Sequence, residues 1–331
     1  MNGKSRPRCT VRFRVPLALV VLACGALYGA PPAAAAVDPV TATDGFYLDP
    51  DNPAAQWAAA HPSDGRAAAI AADIGDAPMA DWFTEQSEVG QYTGAYVGAA
   101  ANADKLPVLV AYNIVDRDYC ASGAGLGASS ESAYDTWIAA FAGGIADRPA
   151  LVILEPDAVP DEDCMSASQI TERDAMLNNA INQLNAQAPD AWTYLDAGNP
   201  GWLSASTAAE YLDSAGLAQA HGFSINVSNF HTTAQNLTYG AQINADLKAD
   251  YGYTKPFVID TSRNANGSDG QWCNPAGAKL GATDQTVDED GAEMLLWIKT
   301  PGESDGDCGT GEGTTAGEFV PQIAYDLIYG Y

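Results

Sequence analysis

Short apolar runs alternate with helical stretches along this chain, and at least six of the runs stop on charged or amide residues. No other feature restricts the fold as much. The clearest run is Leu151-Val152-Ile153-Leu154, preceded by Pro149 and followed by Glu155-Pro156-Asp157. Four aliphatic residues in succession describe a strand covered on both faces, as strands are in a parallel sheet. Similar runs are 106–114, ending in Asp116-Arg117-Asp118, and 192–195, ending in Asp196-Ala197-Gly198-Asn199. Phe223 to Val227 leads to Ser228-Asn229, 257–259 to Asp260-Thr261-Ser262-Arg263, and 294–298 to Lys299, Glu303 and Asp305. Helical spacing is read near 79–88, 131–146, 168–187, 203–215, 234–249 and 316–328, and residues 37–62 read as a turn-rich wrap. Such alternation over about 250 residues indicates an α/β barrel or a doubly wound sheet in one domain. No glycine-rich phosphate turn follows the first strand, which argues against a nucleotide-binding sheet.

Residues 1–36 are set apart from this pattern. Lys4, Arg6, Arg8, Arg12 and Arg14 precede an apolar stretch from Val15 to Tyr28, and Ala33 to Ala36 offer small residues for cleavage. That is the layout of a secretory signal peptide, too short in its apolar part for a membrane anchor. The mature chain, 37–331, then carries 10 Lys+Arg against 42 Asp+Glu, a formal charge of −32. A surface so acidic repels nucleic acid and anionic lipid, and suits an extracellular protein, expected to be a monomer, acting on a neutral substrate. Cys9 and Cys24 would leave with the leader. Cys120, Cys164, Cys273 and Cys308 make an even set in an oxidising compartment, so two disulfides are expected, with three pairings open. His61, His221 and His231 form no ligand motif, and neither a metal nor a cofactor is expected.

The strand ends gather carboxylates: Asp118, Asp157, Asp196, Asp260, Glu303 and Asp305. Gly-x-Ser-x-Gly is absent, and bridged cysteines supply no thiolate nucleophile. Carboxylate chemistry without a cofactor points to glycoside hydrolysis, where one protonated carboxyl gives a proton to the leaving oxygen and a carboxylate assists water or attacks the sugar. A carboxyl beside an apolar strand keeps its proton longer, which suits Glu155 or Asp157, both at the end of the Leu151 run, to the first role. Trp82, Trp202 and Trp272 read as loop or strand-end residues, and an exposed indole beside polar groups makes a floor for a sugar ring. Trp137 and Trp297 fit core positions better.

In order along the chain, several blocks resemble the signature blocks of glycoside hydrolase family six, the inverting cellulases of bacteria and fungi. They are Tyr112-Asn113-Ile114-Val115-Asp116-Arg117-Asp118, Leu154-Glu155-Pro156-Asp157, Asp196-Ala197-Gly198, Asn226-Val227-Ser228-Asn229-Phe230, Asp260-Thr261-Ser262-Arg263-Asn264, Trp272-Cys273-Asn274-Pro275 and 297–306. The resemblance covers about residues 45 to 331 and implies a distorted, partly open parallel β/α barrel of about seven strands. It implies that Asp157 is the catalytic acid, that Asp118 holds its proton affinity up, that Asp305 is the proposed base and that Asp196 supports the site. Tyr112 would crowd the distorted sugar. Trp82, Trp202, Asn229, Arg263, Trp272, Lys299 and Glu303 would bind substrate. The implied disulfides are Cys120 with Cys164 and Cys273 with Cys308.

Three positions depart from the family's pattern. Tyr119 separates Asp118 from Cys120, Asp307 separates Gly306 from Cys308, and Asn199 stands where a histidine is common. The segment between Asn264 and Trp297 and that after Cys308 read as short, which favours an open cleft and internal cleavage of β-1,4-glucan. Competing readings are an exo-acting cellobiohydrolase of the same family, a hydrolase of another β-glucan, and a non-catalytic protein that binds cello-oligosaccharides. Asp288-Glu289-Asp290 and similar clusters lack calcium-loop spacing and read as solvated turns.

Overall fold

In the computed structural model, which describes residues 1, 3 and 36–331, eight strands form one sheet. They are β1 (Asp81–Phe83), β2 (Val108–Ala111), β3 (Ala150–Leu154), β4 (Ala191–Asp196), β5 (Gly222–Ile225), β6 (Phe257–Asp260), β7 (Gln285–Glu289) and β8 (Ala292–Leu296). Their order is β1-β2-β3-β4-β5-β6-β8-β7, parallel throughout except for β7, which runs antiparallel to β8. The leader expected over 1–36 lies outside the described residues, apart from Met1, Gly3 and Ala36. Ala36–Tyr331 form a single unit.

The unbroken apolar runs are explained by two cores. Val108, Val110, Leu151, Ile153, Tyr194, Val258, Met294 and Leu296 fill the interior of the curved sheet. Their alternates, Leu109, Ala111, Val152, Leu154, Leu195, Ile225, Ile259 and Leu295, face outward onto the helices. A strand covered on both sides has no polar position to alternate with. The covering helices include Glu131–Ile145, Ala167–Gln187, Ala205–Ser214 and Thr233–Asp250, close to their expected bounds. Trp137 and Trp297 are buried, as expected.

The sheet is a half-barrel left open between its edges, yet β1 reaches across. The Ala80 amide donates to the Trp297 carbonyl at 2.9 Å, and the Trp82 indole donates to Ile298 O at 2.8 Å. These bonds bring the segment after β8 beside β1 at the end where the strand-end carboxylates emerge.

Four expectations need correction. Residues 79–88 are not helical: Asp81–Phe83 is an edge strand paired with Leu109 to Ala111, and the helix begins only at Val89. Trp82 is therefore the central residue of a strand, not a loop residue. Within the turn-rich N-terminal stretch, Pro53–Ala60 is a helix capped by Asn52, whose side chain accepts from the Ala55 amide. The acidic stretch read as solvated turns includes the end of β7, joined to β8 by Asp290-Gly291, both at positive φ (51° and 91°). That is the dihedral pattern of a primed hairpin turn.

Candidate active site

Asp157 lies three residues beyond β3, with φ at 69°, between the buried Pro156 and Ala158. Its main-chain amide donates to Asp196 Oδ2 at 2.9 Å, and Ser224 Oγ donates to Asp196 Oδ1 at 3.2 Å. Asp196 is fully buried. Burial first, then the charges of Asp196, Asp118, Asp161 and Asp305, pushes the Asp157 carboxyl well above the usual range. Like charges in a dry site cannot all ionise. Burial also pushes Asp196 up, to about 7, but its two donors oppose that rise, so of the pair Asp196 ionises first and the proton stays longer on Asp157.

Asp118 sits in the loop after β2, also at positive φ (58°). It accepts a short hydrogen bond from the Tyr112 hydroxyl, and Arg117 Nε lies 3.5 Å from its Oδ2. Arg117 also lies over the Tyr112 ring at 4.3 Å, and the Trp82 ring meets Tyr112 edge-on at 5.1 Å. Two buried carboxylates pin this loop by main-chain amides. Glu155 accepts from Asn113 and Ile114 at 2.8 and 2.9 Å, and Asp161 accepts from Tyr119 and Cys120 at 2.6 and 3.2 Å. The extra residue Tyr119 is thus absorbed by a bond to Asp161. Burial pushes Glu155 up to about 7 against these amide bonds.

Asp305 is held from two sides. Arg263 Nη1 donates to both its oxygens at 3.0 and 2.9 Å, and the Asn274 amide donates to Oδ2 at 3.0 Å, while Asn274 Oδ1 accepts from the Asp305 amide. Breaking a buried pair of this kind costs about 3–5 kcal/mol. Arg263 was expected to bind substrate; instead it is buried, and its other Nη donates to Ser228 O. Its contacts are with Asp305 and a main-chain carbonyl. Asp260, a further strand-end carboxylate, accepts from the amides of Ser228, Ser262 and Lys299 and ties three loops together.

Lys299 and Glu303 form a pair at 3.4 Å, with Lys299 Nζ 5.8 Å from the centre of the Trp82 ring. Trp202 is half-buried and packs over Gly198. That glycine has φ +71°, and an added Cβ would come within 2.8 Å of Pro160, so no larger residue fits there. Asn199 turns inward, its Oδ1 accepting from the Gly201 amide at 2.9 Å. Trp272 is 60 % exposed beside Cys273, and Asn229 is half-buried after β5. Disulfides join Cys120 to Cys164 and Cys273 to Cys308, fastening the loops of Asp118 and Asp305 respectively. The inserted Asp307 accepts from the Gly313 amide at 2.6 Å. Among the described residues, no group of three or more histidine, cysteine or carboxylate side chains has the arrangement of a metal site.

Sequence reasoning passed over Asp161. Its signal is faint, because it acts on main-chain amides 42 and 41 positions away and no side-chain motif marks it.

A parallel half-barrel with a cluster of carboxyl groups gathered at its strand ends, indoles close by, has the make-up of a glycoside hydrolase. The chain belongs to the glycosyl hydrolases family 6, whose model matches residues 41–329. It is 60% identical over 332 residues to Endoglucanase 1 of Streptomyces halstedii, covering 100% of both chains. It is 40% identical over 324 residues to Endoglucanase A of Thermobispora bispora, covering 96% of this chain and 69% of that one. The endoglucanase Cel6 from Mycobacterium tuberculosis, solved with a methyl-cellobiosyl-thio-cellobioside, superposes with a TM-score of 0.79 at 37% identity, covering 89% of this chain and 99% of that one.

Proposed function

We propose that this chain is a secreted, inverting endo-β-1,4-glucanase that hydrolyses internal bonds of cellulose or related β-glucans. One observation carries the reading: Asp157 stands half-buried at the strand ends, its amide on Asp196 Oδ2 and its carboxyl within the field of Asp196, Asp118 and Asp305. In the proposed reaction the Asp157 proton passes to the glycosidic oxygen as the bond from that oxygen to the anomeric carbon breaks. Water adds to the anomeric carbon from the opposite face and gives its proton to Asp305, directly or through a second water. Asp118 and Asp196 keep Asp157 protonated until the leaving oxygen needs the proton. Tyr112, hydrogen-bonded to Asp118, crowds the sugar ring at the point of cleavage. Trp82, Trp202 and Trp272 stack on sugar rings, with Lys299, Glu303 and Asn229 binding hydroxyls.

Internal rather than terminal cleavage is supported by the endoglucanase names of the bacterial relatives. The two disulfides suit an oxidising compartment, consistent with a leader over 1–36 and a catalytic domain, monomeric in solution, over 37–331.

The test is digestion of carboxymethylcellulose and cellohexaose by the purified chain. The reading expects a rapid fall in viscosity, with the α-anomer first among the cellohexaose products by proton NMR. An initial β-anomer excludes inversion, and cellobiose alone with undiminished viscosity excludes internal cleavage.

A further inference from the structure

We propose that Arg173 is a positioning residue that sets the separation between Asp118 and Asp157. This inference rests on the functional reading above and adds to it a residue outside the cleft. Arg173 lies on helix Ala167–Gln187, behind the strand ends, and is 1% exposed. Nη1 donates to Ala158 O at 3.0 Å, the residue directly after Asp157. Nη2 donates to Val115 O at 3.0 Å and to Asp116 O at 2.8 Å, just before Asp118. One planar guanidinium therefore joins the loop of the proposed acid to the loop of its partner.

The carboxylates around Arg173 continue the same clamp. Asp161, Glu155 and Glu162 all act on its charge, and Glu155 and Asp161 hold the amides on either side of the carbonyls it grips. Residues 113–120 are thus fastened at both ends by carboxylates and in the middle by the guanidinium. Such fastening is needed because Asp116, Asp118, Glu155 and Asp157 all lie at positive φ, from 50° to 69°. Residues held in that region persist only where their surroundings over-determine them. Lysine at position 173 would keep the charge but not the fork that spans two loops.

The experiment compares the full chain with Arg173→Lys on cellohexaose, following kcat, KM, pH profile and amide hydrogen exchange of 113–120. A misplacement near 1 Å costs ~10²-fold in rate, so kcat is expected to fall by about that factor while KM stays within about threefold. The alkaline limb should move to lower pH, because an Asp118 that drifts away no longer helps Asp157 hold its proton. Exchange in 113–120 should quicken while β2 and β3 stay protected. A folded Arg173→Lys with unchanged kcat and an unmoved limb overturns the proposal. If that variant does not fold, Asp161→Asn loosens the far end of the same loop, and there a kcat and exchange equal to the parent overturn it. Should the parent release no sugar, the functional reading fails separately, and unchanged exchange in Arg173→Lys then overturns the clamp.

Discussion

The main-chain amide of Asp157 donates to Asp196 Oδ2 at 2.9 Å, so the carboxylate that helps keep Asp157 protonated also holds its backbone in place. One neighbour thus acts on both the position and the proton affinity of Asp157, the latter alongside burial and the charges of Asp118, Asp161 and Asp305. Beside them, Ser224 directs its hydroxyl to the other oxygen of Asp196.

Asp196→Asn separates the two effects. The amide oxygen still accepts from Asp157, but the charge that raises Asp157 is gone. The alkaline limb of kcat should move to lower pH, with little change in KM for cellohexaose. A pH–rate profile checks this, and a limb that stays in place or rises contradicts it.

Stability should fall as pH rises. Burial pushes Glu155 to about 7, Glu162 to about 9 and Asp81 to about 6. A raised carboxyl keeps its proton in the folded state where the unfolded chain has lost it, so it stabilises at low pH. That contribution shrinks above the unfolded value near 4 and is lost as pH passes the folded one, at a slope of up to about 1.4 kcal/mol per pH unit for each group. Thermal unfolding at pH 5 and pH 8 is the measurement, with the higher midpoint expected at pH 5.

Trp272→Ala should weaken binding without weakening the fold. Its ring is 60 % exposed, and surface substitutions of this kind change stability by about 0.5 kcal/mol or less. KM for cellohexaose should rise by about tenfold, equivalent to ~1.4 kcal/mol, with kcat nearly unchanged. Steady-state kinetics and a melting curve on the same preparation decide it.

The parts of this molecule legible in its sequence are those whose signal is local. Leu151 to Leu154 announces β3 because burial on both faces leaves no polar position, and Asp157 at its end follows from the barrel's geometry. Asp81–Phe83 was not legible, since a three-residue strand owes its existence to pairing with Leu109 to Ala111. Gln285–Glu289 is a polar edge strand without an apolar face, although Asp290-Gly291 was an available hairpin signal. The buried pairing of Arg263 with Asp305 was not legible, because a one-dimensional reading cannot tell an arginine facing solvent from one paired with a buried aspartate. Asp161 and Arg173 were missed for a related reason, because both act on main-chain groups, which any residue type supplies.

The most direct test of the account is the response of Asp157→Ala to leaving-group quality. A poor leaving group needs the proton, whereas dinitrophenolate does not. Hydrolysis of cellohexaose should fall by roughly 10²–10⁴-fold, while hydrolysis of 2,4-dinitrophenyl β-cellobioside falls far less. Equal losses on both substrates, or substantial activity remaining on cellohexaose, would contradict Asp157 as the proton donor.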